Sequence, residues 1–274
     1  MSERIGVIVG LKPNEPLFNG LVEMGLQVCQ LASWEPENWT DEIAKQVKNE
    51  AIQKKIRITS LWAGWAGPAK WNLIEGPTTL GLVPKEFREM RTKTMKLAGD
   101  FAAKIGVPAV ITHLGFIPEP PLDPDFKGTV EAVRDIASYL KKLGLEFWFE
   151  TGQETPVTML RMIQEVGTGN LGINLDPANL ILYGKGNPID ALDVFGKYVR
   201  NIHAKDAFYP TNPMQLGEEV KVGKGRVRFP AFVKRLDEVG FNGEFIIERE
   251  ISGEQQKKDI AATVKYLKKL IKEK

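Results

Sequence analysis

Short apolar runs rich in β-branched and aromatic residues alternate with longer amphipathic stretches, and the alternation repeats eight times along the chain. The runs predict strands over 4–11, 26–33, 55–62, 109–115, 146–151, 171–176, 198–206 and 243–250. Between them, spacing near the helical period predicts helices over 15–24, 41–54, 84–104, 126–143, 156–166, 188–197, 230–239 and 254–272. Pro84, Pro156, Pro188 and Pro230 stand at first-turn positions, where a missing N–H costs nothing. Gly25, Gly106, Gly144, Gly167 and Gly240 fall just past helix ends.

Eight β/α units in 274 residues give about 34 residues each, the size of a (β/α)8 TIM barrel with modest insertions and one domain spanning 1–274. A doubly wound sheet fits less well, because no Gly-x-Gly-x-x-Gly follows the first strand. The longest irregular stretch, 63–83, holds Trp65 and Trp71 among its Gly and Pro residues and reads as an ordered loop rather than a linker.

In such a barrel the functional side chains belong at the C-terminal ends of strands. Strand five ends Glu146-Phe-Trp-Phe-Glu150, strand six Gly172-Ile-Asn-Leu-Asp176, strand seven Val199-Arg-Asn-Ile-His203, and strand eight Glu244-Phe-Ile-Ile-Glu248. Period-two alternation turns Glu150, Asp176, His203 and Glu248 inward on four consecutive strands. Three carboxylates and one imidazole form a hard, mostly oxygen site suited to Mn²⁺ or Mg²⁺, with Co²⁺ or Zn²⁺ able to substitute. The competing reading is that each is a salt-bridged strand-end residue, and four in succession weigh against it.

Composition narrows the chemistry further. With 37 Lys+Arg against 35 Asp+Glu there is no electrostatic footprint for a nucleic-acid backbone. The single cysteine, Cys29, suits a reducing cytoplasm and excludes a thiolate metal site. No apolar run is long enough for a membrane span or a signal peptide. The only histidines are His113 and His203, which rules out a centre with several imidazole ligands.

Five segments carry a resemblance to the xylose isomerase-like TIM-barrel superfamily, in its small sugar isomerase and epimerase branch. They are Phe149-Glu150-Thr-Gly-Gln153-Glu154, Asn174-Leu-Asp176-Pro-Ala-Asn179, Asn201-Ile-His203-Ala-Lys205-Asp206, the turn from Val222 to Val227, and the run from Phe241 to Glu250. The branch includes ketose 3-epimerases and inosose dehydratases. The resemblance implies that Glu150, Asp176, His203 and Glu248 are metal ligands and that Glu150 and Glu248 are also the catalytic pair. It implies a sugar or keto-sugar substrate and proton transfer next to a carbonyl through an enediolate. The chain departs from the epimerase pattern in two places. Asn179 stands where a histidine is common, and an arginine usually found after the seventh-strand histidine is absent, with Tyr209 nearby.

Around this centre, His113, Trp62, Gln153, Asn179 and Lys205 are the expected substrate contacts. Trp62, Trp65 and Trp71 can cover a sugar ring or form a small core of their own. Gly223-Lys224-Gly225 reads as a tight turn in preference to a phosphate cradle. Lys205 and Asp206 point to opposite sides of the strand and so have separate roles. The alternatives are a keto-sugar or keto-inositol dehydratase or lyase and a non-catalytic sugar-binding barrel, while a three-zinc nuclease would need more histidines. Assembly into a homodimer or homotetramer through outer helices is compatible with this size, and no surface stripe selects one.

Overall fold

The computed structural model describes residues 4–272. Eight parallel strands close into one barrel: β1 (Ile5–Gly10), β2 (Val28–Ser33), β3 (Arg57–Ala63), β4 (Ala109–Thr112), β5 (Glu146–Glu150), β6 (Leu171–Leu175), β7 (Val199–Ala204) and β10 (Glu244–Ile247). Their order around the barrel follows the chain, with β10 pairing both β1 and β7. The expected (β/α)8 architecture is therefore present. A two-stranded antiparallel hairpin, β8 (Asp206–Phe208) with β9 (Glu218–Val220), lies outside the barrel.

The outer helices are α1 (Asn19–Glu23), α2 (Asp41–Lys54), α4 (Lys85–Ile105), α5 (Pro124–Lys142), α6 (Pro156–Val166), α8 (Pro188–Phe195), α9 (Phe229–Glu238) and α10 (Glu254–Lys272). Two short extra helices, α3 (Gly76–Thr79) and α7 (Pro177–Leu182), sit in loops that follow strands. Capping side chains set several starts: Thr40, Asp123, Thr155, Asp176 and Asn187 each accept a backbone N–H of the first turn. Phe147, Phe149, Ile173, Ile202 and Phe245 fill the space between strands and helices or the barrel interior, each at most 2% exposed.

Most element ends shift by one to three residues, and the fourth and last barrel strands stop at Thr112 and Ile247 rather than at 115 and 250. Three differences change the local structure. The first helix is only Asn19–Glu23, since Pro16 interrupts the amphipathic pattern and the chain instead docks Leu17 and Phe18 N–H on the Glu50 carboxylate at 3.1 Å each. The seventh strand breaks at Lys205, and Asp206 begins the outer hairpin. α7 was not expected; Asp176 caps it through a 2.8 Å bond from Asn179 N–H.

The long loop after β3 is held by one buried cation. Arg91, on α4, is fully buried and donates to the carbonyls of Gly81 at 2.6 Å and Pro68 at 2.9 Å. Its guanidinium also lies over the rings of Trp65 and Phe87, 5.2 and 4.7 Å from their centres. Gly81 touches the next strand's loop so closely that a Cβ would stand 2.1 Å from the Leu114 carbonyl oxygen, with φ at +68°. Arg91→Met keeps the bulk but strands those carbonyls, and is expected to lower stability by about 2–4 kcal/mol. Urea unfolding followed by circular dichroism checks this; an unchanged midpoint would refute the role given to Arg91.

Candidate active site

The barrel register explains how four residues far apart in sequence meet. Glu150 on β5 pairs with Asn174 on β6, which pairs with Asn201 on β7, which pairs with Glu244 on β10. Along that row Asp176 and His203 lie two residues further on, and Glu248 four. Even offsets keep all four on the same face, and the increasing offset compensates for strand tilt, so they reach one height at the mouth. One ligand atom from each of Glu150, Asp176, His203 and Glu248 can be chosen so that all lie within 4.8 Å of one another.

His203 lies at the centre of this cluster and is fully buried. Its Nε2 faces the Gln30 side-chain carbonyl oxygen at 2.8 Å, and the Gln30 amide nitrogen in turn donates to Ser60 Oγ at 3.3 Å. A carbonyl oxygen only accepts, so Nε2 carries a proton. Nδ1 then looks at Glu150 Oε1 at 3.1 Å and Glu248 Oε2 at 3.2 Å. A cation is required between a ring nitrogen and two carboxylate oxygens, either a proton or a metal ion. Asp176 Oδ2, fully buried, has no hydrogen-bond partner and also lies 3.9 Å from Nδ1. This donor set fits a divalent cation held by Glu150, Asp176, His203 and Glu248.

Lys205 supplies a further fixed charge. Only 1% exposed, its ammonium lies 3.3 Å from Glu248, 3.7 Å from Asp176 and 3.0 Å from Glu250. Three carboxylate ligands with Lys205 leave a charge near −2, which a divalent ion cancels. Without an ion, the protons redistribute. Burial opposes charge on His203, yet Glu150 and Glu248 hold the imidazole protonated well above its usual range. Burial drives the Asp176 carboxyl well above the ordinary carboxylate range, with Glu248 and Glu150 reinforcing it against Lys205. Burial would likewise raise Glu248, but Lys205 and His203 overcome it and hold the group at about 2. Glu150, against the same penalty, is held low by His203 and His113.

Above the cluster opens a cavity of about 480 Å³. Glu150, Glu248, His113, Asn179 and Trp62 line it, whereas Lys205, an expected substrate contact, does not. His113 Nε2 is 3.4 Å from Glu150 Oε1, the Asn179 amide donates to the same oxygen at 3.3 Å, and Trp62 Nε1 donates to Glu150 Oε2. Trp65 is buried against Arg91, while Trp62 and Trp71 line the cavity. Trp34, from the loop after β2, joins them with its ring centre 5.0 Å from that of Trp62. Gln153 is buried and does not line the cavity, so the structure does not bring it to this space.

Residues 18–270 match the Xylose isomerase-like TIM barrel family. The chain belongs to that family. Within it, a xylose isomerase domain protein from Planctomyces limnophilus is similar at 36% identity and a TM-score of 0.92, with 98% of each chain covered. Two further structures share the fold at 16% identity. A D-psicose 3-epimerase crystallised in the presence of D-fructose has a TM-score of 0.65, with 94% of this chain and 89% of that one covered. The probable 3-DHS dehydratase AsbF from Bacillus anthracis has a TM-score of 0.66, with 96% and 98% covered. An uncharacterized protein of Methanocaldococcus jannaschii is 28% identical over 177 residues, which is 60% of this chain and only 58% of that relative's length.

Asp206 takes the separate role expected of it. Its carboxylate accepts the N–H groups of Ala207, Gly223 and Gly225, each at 2.9 Å, and of Val227 at 3.0 Å. The 223–227 turn thus wraps an internal anion and has no amides left for a phosphate. Residues missed in the sequence are Gln30, Trp34, Glu250 and Tyr183, the last of which also lines the cavity. Gln30 did leave a signal, a lone amide inside the apolar run of β2.

Metal binding should release the protons now on His203 and Asp176. Apparent affinity for Mn²⁺ is therefore expected to rise with pH, by about tenfold per unit for each proton released. Calorimetry in buffers of different ionisation enthalpy counts the protons, and binding with none released would contradict this charge assignment. Glu154 gives a second pH test. Burial raises its carboxyl from 4.5 to about 8, so the folded protein keeps a proton that the unfolded chain has lost. Wild-type stability then falls as pH rises from about 4.5 to 8, by a few kcal/mol in all. Glu154→Gln should melt with wild type near pH 4.5 and progressively higher than it toward pH 8, as differential scanning fluorimetry would read.

Proposed function

We propose that this protein is a divalent-metal-dependent sugar isomerase or epimerase, acting in the cytoplasm on a small sugar or keto-sugar. The observation that carries the reading is the convergence of Glu150, Asp176, His203 and Glu248, of which Glu150 and Glu248 line the barrel-mouth cavity. The oxygen-rich donor set favours Mn²⁺ or Mg²⁺ over Co²⁺ or Zn²⁺. The epimerase among the fold neighbours supports the class, and the dehydratase marks elimination as the nearest alternative.

A divalent ion held by these four residues would polarise a substrate carbonyl and its neighbouring hydroxyl, easing loss of the proton on the carbon between them. Glu150 and Glu248 come from strands separated by β6 and β7, and both line the cavity. They can approach a planar enediolate from two sides. One carboxylate takes the proton and the other delivers one to the opposite face, which inverts the carbon. Delivery back to the neighbouring carbon instead isomerises the sugar.

Surrounding groups set the state of these two carboxylates. Trp62, Asn179 and His113 fix Glu150 in one orientation, and Lys205 steadies Glu248, so each starts ionised and positioned. Asn179 occupies the place of a common family histidine and presents an amide that can hold a substrate hydroxyl without exchanging a proton. Tyr209 does not replace the missing arginine, because its hydroxyl donates to Gly184 O at 3.0 Å and its ring does not line this cavity. Trp34, Trp62 and Trp71 offer ring faces to the C–H side of a sugar and keep water from the reacting carbon.

The test is an assay of ketoses and keto-glycosides in D₂O with the Mn²⁺-loaded protein. Epimerisation places one solvent deuterium at the inverted carbon, whereas elimination loses water or an aglycone. Glu150→Gln and Glu248→Gln should each lower kcat at least about 1,000-fold. Metal content and circular dichroism of the variants separate lost chemistry from lost ion or fold. A wild-type protein that binds no divalent ion, or full activity in both variants, would refute the reading.

A further inference from the structure

A second cavity of about 510 Å³ opens at the same end of the barrel, between the loop that follows α7 and the loop that precedes α9. It shares no lining residue with the cavity above the carboxylates. Its charged lining is entirely cationic: Lys185 from one loop, Arg226 and Arg228 from the other, with no carboxylate among the lining residues. Tyr209, from the connection between β8 and β9, donates to Gly184 O and lines the same cavity.

The pairing of arginines elsewhere makes this cavity unusual. Of the chain's eleven arginines, nine donate to a carboxylate or a backbone carbonyl. The two that have no such acceptor among the described residues are Arg226 and Arg228, and both face this cavity. Arg226 lies against the Phe208 ring, 5.8 Å from its centre, which orients the guanidinium without neutralising it. Lys185, likewise without a salt bridge, is placed by the Phe116 ring at 5.6 Å. Three cations held in one concave space repel one another, and an anion relieves that repulsion.

Arg228 adds an independent mark. Its backbone is left-handed, with φ 59° and ψ 53°, a conformation that glycine adopts freely and a branched-off side chain resists. Such a conformation at a non-glycine residue persists only where its surroundings hold it in place. The loop amides offer nothing here, since Gly184, Lys185 and Gly186 N–H bond to the carbonyls of Ile181 and Leu180. Recognition falls to the three side chains, and guanidinium forks match the geometry of a phosphoryl group better than that of a point charge.

We propose that Lys185, Arg226 and Arg228 form a binding site for the phosphoryl group of a phosphate monoester, separate from the carboxylate centre. An anion held there bridges the two loops. Because α7 carries Asn179 into the first cavity and Ile181 into the second, the two sites share one short helix.

Isothermal titration of the full chain with inorganic phosphate and with methyl phosphate, at constant ionic strength set by chloride, tests this. Wild type should bind both saturably. Arg226→Gln and Arg228→Gly should each weaken binding at least tenfold, and Lys224→Gln, outside the cavity on the same loop, should not. In phosphate-free buffer Arg228→Gly should melt no lower than wild type, since glycine removes the strained conformation; loss of binding with an intact fold assigns the side chain to the anion. Phosphate bound at a metal in the first cavity would survive both arginine substitutions, so undiminished binding in them overturns the proposal, as does the absence of saturable binding. Acetate binding as tightly as phosphate would overturn the phosphoryl assignment. None of these results depends on the isomerase reading.

Discussion

The structure turns on a problem of charge. Glu150, Asp176 and Glu248 are drawn into a buried barrel mouth around His203, a place where three carboxylates cannot all stay ionised without help. The help is built in layers. Lys205 lies beneath Glu248 and Asp176, His113 and Trp62 lean on Glu150, and Gln30 orders the tautomer of His203 from the far side. What remains is a deficit of about two positive charges, met by two protons or by one divalent ion. That equivalence ties the acidity of the site to its capacity for metal, and leaves Glu150 and Glu248 ionised beside the cavity.

The rest of the molecule serves to hold this arrangement at one height. Parallel pairing sets the stagger from β5 to β10, and even offsets along it decide that all four side chains face inward. The loops then shape the space above. Arg91 organises the long segment that carries Trp65 and Trp71, and Asp206 gathers the 223–227 turn around its own carboxylate. In both, one buried charge satisfies several backbone groups of a loop that has little regular structure of its own. Lys205 and Asp206 are neighbours with opposite duties because the chain leaves the barrel between them.

Much of the fold and the centre of the site could be read from residue order. The period-two runs place Glu150, Asp176, His203 and Glu248 at strand ends, since alternation within a strand is a local property. Pro156 and Pro188 mark helix starts for the same reason. The amphipathic pattern runs through Pro16 and so predicts too long a first helix, while α7, at 6 residues, is too short to show a period. Gln153 sits in a family-like segment yet is buried away from the cavity, since a motif specifies neighbours in sequence but not the direction of each side chain.

By itself the sequence determined the eightfold β/α rhythm, the poverty in histidine and cysteine, and the carboxylate character of any metal centre. Those are properties of composition and of spacing within single elements. Only the tertiary structure decided that Gln30 orients His203, that Trp34 joins tryptophans from another loop, and that Arg226, Arg228 and Lys185 meet around one cavity with no carboxylate in its lining. These are contacts between elements separated by many residues. They depend on barrel closure, strand tilt and the path of loops, none of which leaves a period in the chain.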